Sequence, residues 1–191
     1  MPKRGMGPKR REQICRAAAT VIARDGFAGT TMRNVADEAG VSTGMLNHYF
    51  ENRLDMLTQT LVFVSERTQD RVGRAIEDVP AGIGRLSALL DAAVGGSEEA
   101  IETWRVWINA YGEAVRLPGL RHAIEERLRP WYKLIDFALE GLVSPSPPGE
   151  VPWSWRVDAV LNGFAIQAFT SEASLDGARI RDEVIRTLFP E

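Results

Sequence analysis

Apolar residues recur every three or four positions along almost the whole chain, and the strict alternation typical of β-strands is scarce. This periodicity predicts an all-α protein of about nine helices. Clusters of glycine and proline separate the helical segments, and the longest, SPSPPGEVP at 144–152, cannot be helical. The predicted helices occupy residues 9–25, 31–40, a short stretch within 40–53, 52–79, 83–94, 97–116, 119–143, 153–172 and 177–188.

Residues 32–51 have the spacing of a helix-turn-helix unit. Ala36 supplies a small side chain where the second helix must cross the first, and Gly40, four residues later, suits a turn that needs a positive φ. Ser42 is a favourable N-cap for the second helix. The second helix of such a unit enters the major groove of DNA. The apolar residues at offsets that would lock the two helices together are Val35, Val41 and Leu46.

The start of this second helix carries short polar or small side chains where a purely structural surface helix would use Glu, Lys or Ala. Threonine can contact a thymine methyl group, and asparagine can pair bidentately with adenine. The predicted base-reading residues are Thr43, Gly44, Asn47 and His48. Whether His48 meets a base edge or a phosphate stays open. Cationic and hydroxyl groups suit phosphates, which predicts such contacts for Arg33, Ser42, Tyr49 and Arg53. The alternative is a tight helical hairpin that binds nothing.

The charge is distributed unevenly along the chain. Residues 1–53 hold nine Lys or Arg against five Asp or Glu, a net charge of +4. The remaining 138 residues hold 14 basic and 21 acidic residues, a net charge of −7. A basic N-terminal part on an acidic body indicates contact with a polyanion. A solvated basic tail is the other interpretation of the same charges.

The stretch GFAGTTMRNVADEAGVSTGMLNHYFENRLDML resembles the DNA-binding segment of the TetR family of bacterial transcriptional regulators, in particular its BetI-like branch. The shared features are the glycine and aromatic residue after the first helix, TT at the start of the second, AGVS at the turn and YF at the end of the recognition helix. The resemblance is strong over residues 10–60. It is fainter over the helical body, where LPGLRHAIEERLRPWY carries it.

The resemblance implies a domain order and adds residue roles. It implies phosphate contacts from Thr31, Tyr49 and Arg53, and base contacts from the four residues named above. Arg53 stands where the family commonly has lysine, and arginine changes the geometry of a phosphate contact. Pro130 falls within a predicted long helix, so we expect a kink or a break there. The implied domains are a basic tail at 1–8, a helix-turn-helix domain at 9–53 that continues into the helix 52–79, and a ligand-binding and dimerisation domain at 54–191.

All five tryptophans lie after residue 100, on helices that DNA reading does not require. One interpretation is ordinary core packing, and the other is a pocket for a small-molecule inducer lined by aromatic and a few polar side chains. The resemblance makes a cationic inducer conceivable, because aromatic rings and a carboxylate suit an ammonium group, but the sequence does not identify the ligand. The predicted pocket residues are Trp104, Trp107, Ile108, Tyr111, Glu113 and Trp131, with Asn109 and Tyr132 as further polar candidates.

The segment 153–172 has a wider apolar stripe than a single core-facing helix requires. Together with 119–143 it is predicted to form a homodimer interface, a four-helix bundle across a twofold axis. A dimer would place two recognition helices about 34 Å apart, the spacing of successive major grooves in a palindromic operator. The combined hypothesis is a dimeric repressor that an inducer releases from double-stranded operator DNA. A DNA-binding protein without any ligand is the alternative.

Few features of the sequence favour catalysis or a cofactor. His48 and His122 are the only histidines, and neither an HExxH pair nor a nucleotide-binding glycine loop occurs. We therefore expect no enzyme activity, no metal and no cofactor. Cys15 is the only cysteine and is interpreted as a small core residue, and the lack of any internal disulfide favours a cytoplasmic location. No run of about 18 apolar residues exists, so no membrane-spanning helix is expected.

Overall fold

A computed structural model describes residues 7–170 and 176–190 of the chain. Within these residues the protein consists of nine α-helices and no strand, so the predicted fold class is confirmed. Lys3 and Arg4 of the basic tail, and the end of the predicted helix 153–172, lie outside the described residues. The helices are α1 Gly7–Gly29, α2 Met32–Ala39, α3 Thr43–Tyr49, α4 Arg53–Ile76, α5 Ile83–Val94, α6 Glu98–Ala114, α7 Pro118–Ala138, α8 Trp153–Thr170 and α9 Gly177–Leu188.

The three N-terminal helices share one apolar cluster. Ile14 and Val21 of α1 are fully buried in it with Val35 of α2 and Leu46 of α3. α1 extends past its predicted end because the chain resumes helical geometry after Gly26, where a φ of 72° interrupts the helix. A left-handed φ of this kind favours glycine. The cluster therefore fixes the position of α3 through residues that come from three separate segments.

The chain forms two compact units. One comprises the residues up to Glu66 together with Glu102–Arg127, and the other comprises Arg67–Ile101 together with the chain from Leu128 onward. The domain border implied at residues 53 and 54 lies at the start of α4, whereas the two units divide within α4, between Glu66 and Arg67. Most of α6 belongs to the same unit as the helix-turn-helix.

A buried arginine joins helix and loop ends in the second unit. Arg85 on α5 donates its Nε to the Val79 carbonyl at 2.7 Å, and its Nη1 to the Phe137 carbonyl and to Glu140 Oε2, both at 3.0 Å. The guanidinium carbon also lies 4.1 Å from the centre of the Phe137 ring. Hydrogen bonds, an ion pair and a cation–π contact together compensate the removal of this charge from water.

α7 runs through Pro130 without a break, so of the two outcomes expected at this proline a break does not occur. Proline removes one backbone donor from a helix. The next turns are anchored by Ile135 and Ala138, which are fully buried, so the loss of one hydrogen bond does not end the helix. α7 stops at Ala138, before its predicted end at residue 143, and the chain then turns at Gly141 with a φ of 76°.

Candidate nucleic-acid interface

The entry to α2 is held by a reciprocal cap. The Thr31 hydroxyl accepts a hydrogen bond from the Asn34 backbone amide at 3.2 Å, and the Thr31 backbone amide donates to Asn34 Oδ1 at 2.7 Å. This is a capping box with asparagine in the position usually taken by Glu or Gln. Asn34 Nδ2 also donates to the Gly29 carbonyl at 2.8 Å. Thr31, for which the family resemblance implies a phosphate contact, thus has an exposed side chain whose hydroxyl starts the helix.

The turn between α2 and α3 follows the expected geometry. Gly40 ends α2 with a φ of 65° and a ψ of 36°, the left-handed conformation that favours glycine. The Val41 backbone amide then donates back to the Ala36 carbonyl at 3.0 Å. Ser42 begins α3 as its N-cap and accepts a hydrogen bond from the Met45 backbone amide at 3.2 Å. The turn is therefore stabilised by local hydrogen bonds on both sides.

α3 buries Leu46 and exposes its polar residues. Leu46 is fully buried, and Phe50, the residue that caps the helix end, is 1 % exposed. The structure leaves exposed on this short helix all four predicted base-reading residues: Thr43, Gly44, Asn47 and His48. Leu46 and Phe50 therefore anchor α3, and the exposed residues at its N-terminal end are positioned to meet the floor of a DNA groove.

Gly44 has no structural requirement inside the protein. A Cβ built at this position meets its nearest neighbour, Ser42 Oγ, at 3.9 Å, an ordinary van der Waals distance. Gly44 lies in the first turn of α3 and has an exposed backbone. Because glycine lowers helix stability relative to alanine, its presence here is consistent with close approach of the backbone to an external partner.

Met45 lies at the surface, which the hydrophobic pattern did not predict for an apolar residue. The sequence groups it with the apolar positions of the recognition segment, but its side chain is 39 % exposed beside the predicted reading residues. Tyr49 is half-buried and packs against the apolar cluster, and its ring stands edge-on to His48 with ring centres 5.4 Å apart. α3 has only seven residues, so its apolar spacing alone does not tell whether Met45 is buried or exposed.

The Arg53 guanidinium donates hydrogen bonds to two backbone carbonyls of the protein. Its Nε donates to the Thr30 carbonyl at 2.5 Å, and its Nη2 donates to the Phe27 carbonyl. Both carbonyls belong to the segment that leads into the Thr31 cap, so Arg53 stabilises that segment. Arg33, the other flanking arginine, has an exposed side chain in the first turn of α2.

The remaining cations of this region are partly neutralised. Arg24 pairs with Asp25 and Glu38, each at 3.0 Å, and its hydrogen bond lowers the pKa of Asp25. At the start of α1, the Arg11 guanidinium lies 5.7 Å from the centre of the Phe50 ring. Lys9 and Arg11 both have exposed side chains, and the contact with Phe50 places Arg11 beside the end of α3.

The aromatic residues of α6 are half-buried. The fully or nearly buried stripe of this helix is made of small residues. Trp107 and Tyr111 have ring centres 5.4 Å apart. The buried positions are Ala100, Thr103, Val106, Ala110 and Ala114. The predicted pocket residues of this helix, all half-buried, are Trp104, Trp107, Ile108, Tyr111 and Glu113. The aromatics therefore do not supply the closest-packed face of α6.

Trp131, the remaining predicted pocket residue, belongs to the other unit and contacts a buried carboxylate. Its Nε1 donates to Asp158 Oδ1 at 2.8 Å. Burial raises the pKa of Asp158 to about 6, although hydrogen bonds from Trp131, Asn162 and Tyr132 act in the opposite direction. Burial, with Asp158 nearby, also raises the pKa of Tyr132 to about 12. Sequence reasoning missed Asp158, because nothing local distinguishes it from an exposed helical aspartate.

Other kinds of site find little support. Within residues 7–170 and 176–190, no three His, Cys, Asp or Glu side chains gather in a way that could hold a metal ion. None of the helices in the same residues has the length and apolar character needed to cross a membrane. Cys15 is buried in the N-terminal cluster, and burial raises the pKa of its thiol to about 11. A thiol of this kind is unreactive.

The capped, glycine-turned helix pair with its exposed polar face defines a helix-turn-helix DNA-binding regulator. Residues 14–60 match the family model for bacterial regulatory proteins of the tetR family, and residues 82–189 match the model for the C-terminal part of BetI-type transcriptional repressors. The chain belongs to the TetR family of transcriptional regulators, in its BetI-type branch. This confirms the resemblance inferred from the sequence and the prediction that the chain is not an enzyme.

Curated relatives support the same assignment. The HTH-type transcriptional regulator BetI of Vibrio vulnificus is 31% identical over 133 residues, which cover 67% of each chain. BetI of Brucella suis is 28% identical over 144 residues, 75% of this chain and 73% of the relative. The regulator PksA of Bacillus subtilis is 38% identical over 108 residues, 56% of this chain and 52% of the relative.

Solved structures show the same fold. A TetR-family transcriptional regulator from Rhodococcus sp. superposes with a TM-score of 0.81 at 24% identity, covering 95% of this chain and 97% of that one. A transcriptional regulator from Saccharomonospora viridis, solved in complex with choline, superposes with a TM-score of 0.79 at 20% identity, covering 95% and 96%. At these identities the likeness is one of fold.

Proposed function

We propose that this regulator is a homodimeric repressor that binds a palindromic operator and is released from it by a small-molecule effector. One observation carries the DNA-binding part. α3 buries Leu46 and Phe50 and leaves Thr43, Gly44 and Asn47 exposed in its first turns. A helix held in this way can enter the major groove with its N-terminal residues against base edges.

The contacts divide into base reading and phosphate holding. Thr43, Asn47 and His48 read base edges, and Gly44 allows the α3 backbone to approach the DNA. The first turns of α2 and α3 meet phosphates through the side chains of Thr31, Arg33, Ser42 and Tyr49, together with the backbone amides that helix starts expose. Arg53 contributes indirectly, because its guanidinium donates hydrogen bonds to the carbonyls of the segment that leads into Thr31.

An exposed face of α8 supports dimerisation. Trp155 is 53% exposed and Ile166 is 39% exposed, and the small residues Ala159 and Gly163 lie exposed between them at helical spacing. Tyr132 of α7 adds its ring, 5.8 Å from that of Trp155. A helix face that combines large apolar and small residues suits close packing against a second copy of itself across a twofold axis. The predicted pairing of 119–143 with 153–172 is kept in this proposal.

The effector is assigned to the helical body. The half-buried aromatic side of α6, with Trp104, Trp107 and Tyr111, offers apolar surface that the helix does not use for its tightest packing. An effector lowers operator affinity only if it binds the DNA-incompetent state more tightly than the DNA-binding state. The choline complex of the Saccharomonospora viridis regulator makes choline the first compound to test.

DNA recognition is tested by selecting bound sequences from a random duplex pool and then comparing two variants. Asn47→Ala is expected to relax preference at one or two base pairs, by roughly 1–3 kcal/mol each. Arg33→Ala is expected to weaken binding to all sequences alike and to reduce the salt slope by about one. A uniform loss from Asn47→Ala would place the recognition surface elsewhere.

Effector release is tested separately. Compounds that raise the melting temperature of the protein are added to the protein–operator complex, and dissociation is followed by fluorescence anisotropy. The proposal expects at least one stabilising compound to lower operator affinity. If every stabilising compound leaves operator affinity unchanged, the protein is a ligand-independent DNA-binding protein instead.

A further inference from the structure

Three residues of α4 have a buried side-chain hydroxyl, and one of these hydroxyls lacks a hydrogen bond within the described part of the chain. Thr60 Oγ1 donates to the Met56 carbonyl at 2.8 Å, and Ser65 Oγ donates to the Leu61 carbonyl at 2.6 Å. A bond to the carbonyl four residues earlier is the ordinary way for a helical Ser or Thr to satisfy a buried hydroxyl. The Thr68 hydroxyl is buried as well, but it has no hydrogen-bond partner among the described residues.

Thr68 also interrupts an apolar stripe. It lies at helical spacing between Leu61 or Val64 on one side and Val72 on the other, and these three residues are buried. Valine at position 68 would have the same shape without the cost of burying an unpaired hydroxyl. The polar residue therefore lowers the stability of the folded chain unless another molecule bonds to it.

Arg71 lies three residues further along α4, on the same face as Thr68. Its Nε donates to the Ala92 carbonyl of α5 at 2.9 Å. Its Nη2 is buried and, like the Thr68 hydroxyl, has no partner in the part of the chain that the structure describes. Burial lowers the pKa of Arg71, but a guanidinium stays protonated in proteins. The buried donor therefore carries a positive charge.

Nearby carboxylates are engaged by other arginines. Glu99 Oε1 accepts from Arg67 Nε at 2.7 Å and lies 2.6 Å from Arg67 Nη2, so it acts on Arg71 only through its charge. Both oxygens of Asp91 on α5 accept from Arg181, at 2.7 and 2.9 Å. Glu99 thus acts on both Arg67 and Arg71, and it forms its hydrogen bond with Arg67.

We infer that Thr68 and Arg71 form the binding site for the carboxylate of a small organic acid. A carboxylate offers one acceptor oxygen for each of the two unpartnered donors, and bonds between charged partners are the stronger kind. A water molecule could accept these hydrogen bonds but would bring no negative charge to Arg71. A phosphate would bring more acceptors than the two donors present. This inference rests on the proposed function, because it names the chemical class of the effector, a carboxylate on α4 as the alternative to choline against the α6 aromatics.

The first experiment uses the protein without any ligand or DNA. Thr68→Val is expected to raise the melting temperature above that of the wild type, because it removes an unpaired buried hydroxyl. Thr60→Val is the matched control on the same helix, and it is expected to lower the melting temperature or leave it unchanged, because its hydroxyl is bonded. If Thr68→Val lowers the melting temperature as much as Thr60→Val does, the Thr68 hydroxyl has a partner and the inference is wrong.

The second experiment adds acetate, benzoate and octanoate, each compared with its neutral amide. At least one carboxylate is expected to raise the melting temperature of the wild type more than its amide does. Thr68→Val and Arg71→Met should each weaken that carboxylate about tenfold or more, whereas Thr60→Val should keep wild-type affinity. Equal responses to acids and amides would indicate a water site only, and a response to inorganic phosphate alone would assign the wrong anion. Either result overturns the inference.

Operator binding separates this inference from the proposed function. If a carboxylate binds through Thr68 and Arg71 but does not release DNA, the site stands and the effector role in repression fails. If other compounds release DNA while no carboxylate binds, the proposed function stands and this assignment of its ligand fails.

Discussion

The buried carboxylate of Asp158 makes the stability of this protein depend on pH in a direction that is unusual for an aspartate. Asp158 is 9% exposed, and its Oδ1 accepts the Trp131 indole N–H at 2.8 Å. Burial disfavours the charged form more strongly than these hydrogen bonds favour it, so the pKa rises from its ordinary value of 3.8 to about 6. The folded protein therefore holds this proton more tightly than the unfolded chain does.

The size of the effect follows from that difference. At about 1.4 kcal/mol for each pH unit, a pKa raised from 3.8 to about 6 corresponds to roughly 3 kcal/mol of folding free energy. The protonated carboxyl carries no penalty below pH 3.8, and the stabilisation is lost as the pH rises through 6. Of the total, about 2 kcal/mol falls between roughly pH 4.5 and 7.5.

The change Asp158→Asn tests this reasoning, since the amide oxygen can still accept from Trp131 and cannot ionise. Urea unfolding of the wild type and the variant is measured at one fixed protein concentration, because the proposed dimer would couple unfolding to dissociation. The stability of Asp158→Asn relative to the wild type is expected to increase by about 2 kcal/mol from pH 4.5 to 7.5. Asp136→Asn, an exposed carboxylate on α7, controls for the loss of one negative charge. A difference between Asp158→Asn and wild type that stays constant across this range would refute the reasoning.

Three further changes test the DNA-binding surface, each by a melting temperature and by operator affinity from fluorescence anisotropy. Gly44→Ala is expected to keep or raise stability, by up to about 1 kcal/mol, because a Cβ has room and alanine favours helix. Its operator affinity should fall if the α3 backbone approaches DNA, and unchanged affinity would argue against that approach. Arg53→Ala is expected to lower stability by about 1–3 kcal/mol, because the carbonyls of Phe27 and Thr30 lose the hydrogen bonds that Arg53 donates. Full stability with lost operator affinity would instead give Arg53 a direct phosphate role. Tyr49→Phe should weaken operator binding with little change in stability, and a large drop in melting temperature would mean that its hydroxyl is structural.

The positions that sequence could predict are those whose partners are close in the chain. The Gly40 turn needs a left-handed residue, the Ser42 cap bonds the Met45 amide three residues later, and Leu46 follows from helical spacing. All of these features depend on residues no more than five positions apart in the chain, so local pattern is sufficient to predict them. Helix type and order follow for the same reason.

Tertiary structure decided what happens where distant segments meet. The sequence presents Arg53 as a free cation beside a DNA-binding helix, but carbonyls 23 and 26 residues earlier in the chain take two of its donors. Asp158 acquires its raised pKa only because folding removes it from water, against the opposite effect of the Trp131 hydrogen bond. Thr60 and Thr68 lie on the same helix, but the Thr60 hydroxyl donates to the Met56 carbonyl and the Thr68 hydroxyl has no partner among the described residues. Periodicity and capping depend on residues within one turn, and so the sequence by itself determined the helices and the helix-turn-helix unit. Burial and long-range hydrogen bonds depend on the packing of separate helices, and so the tertiary structure determined the chemistry of the individual side chains.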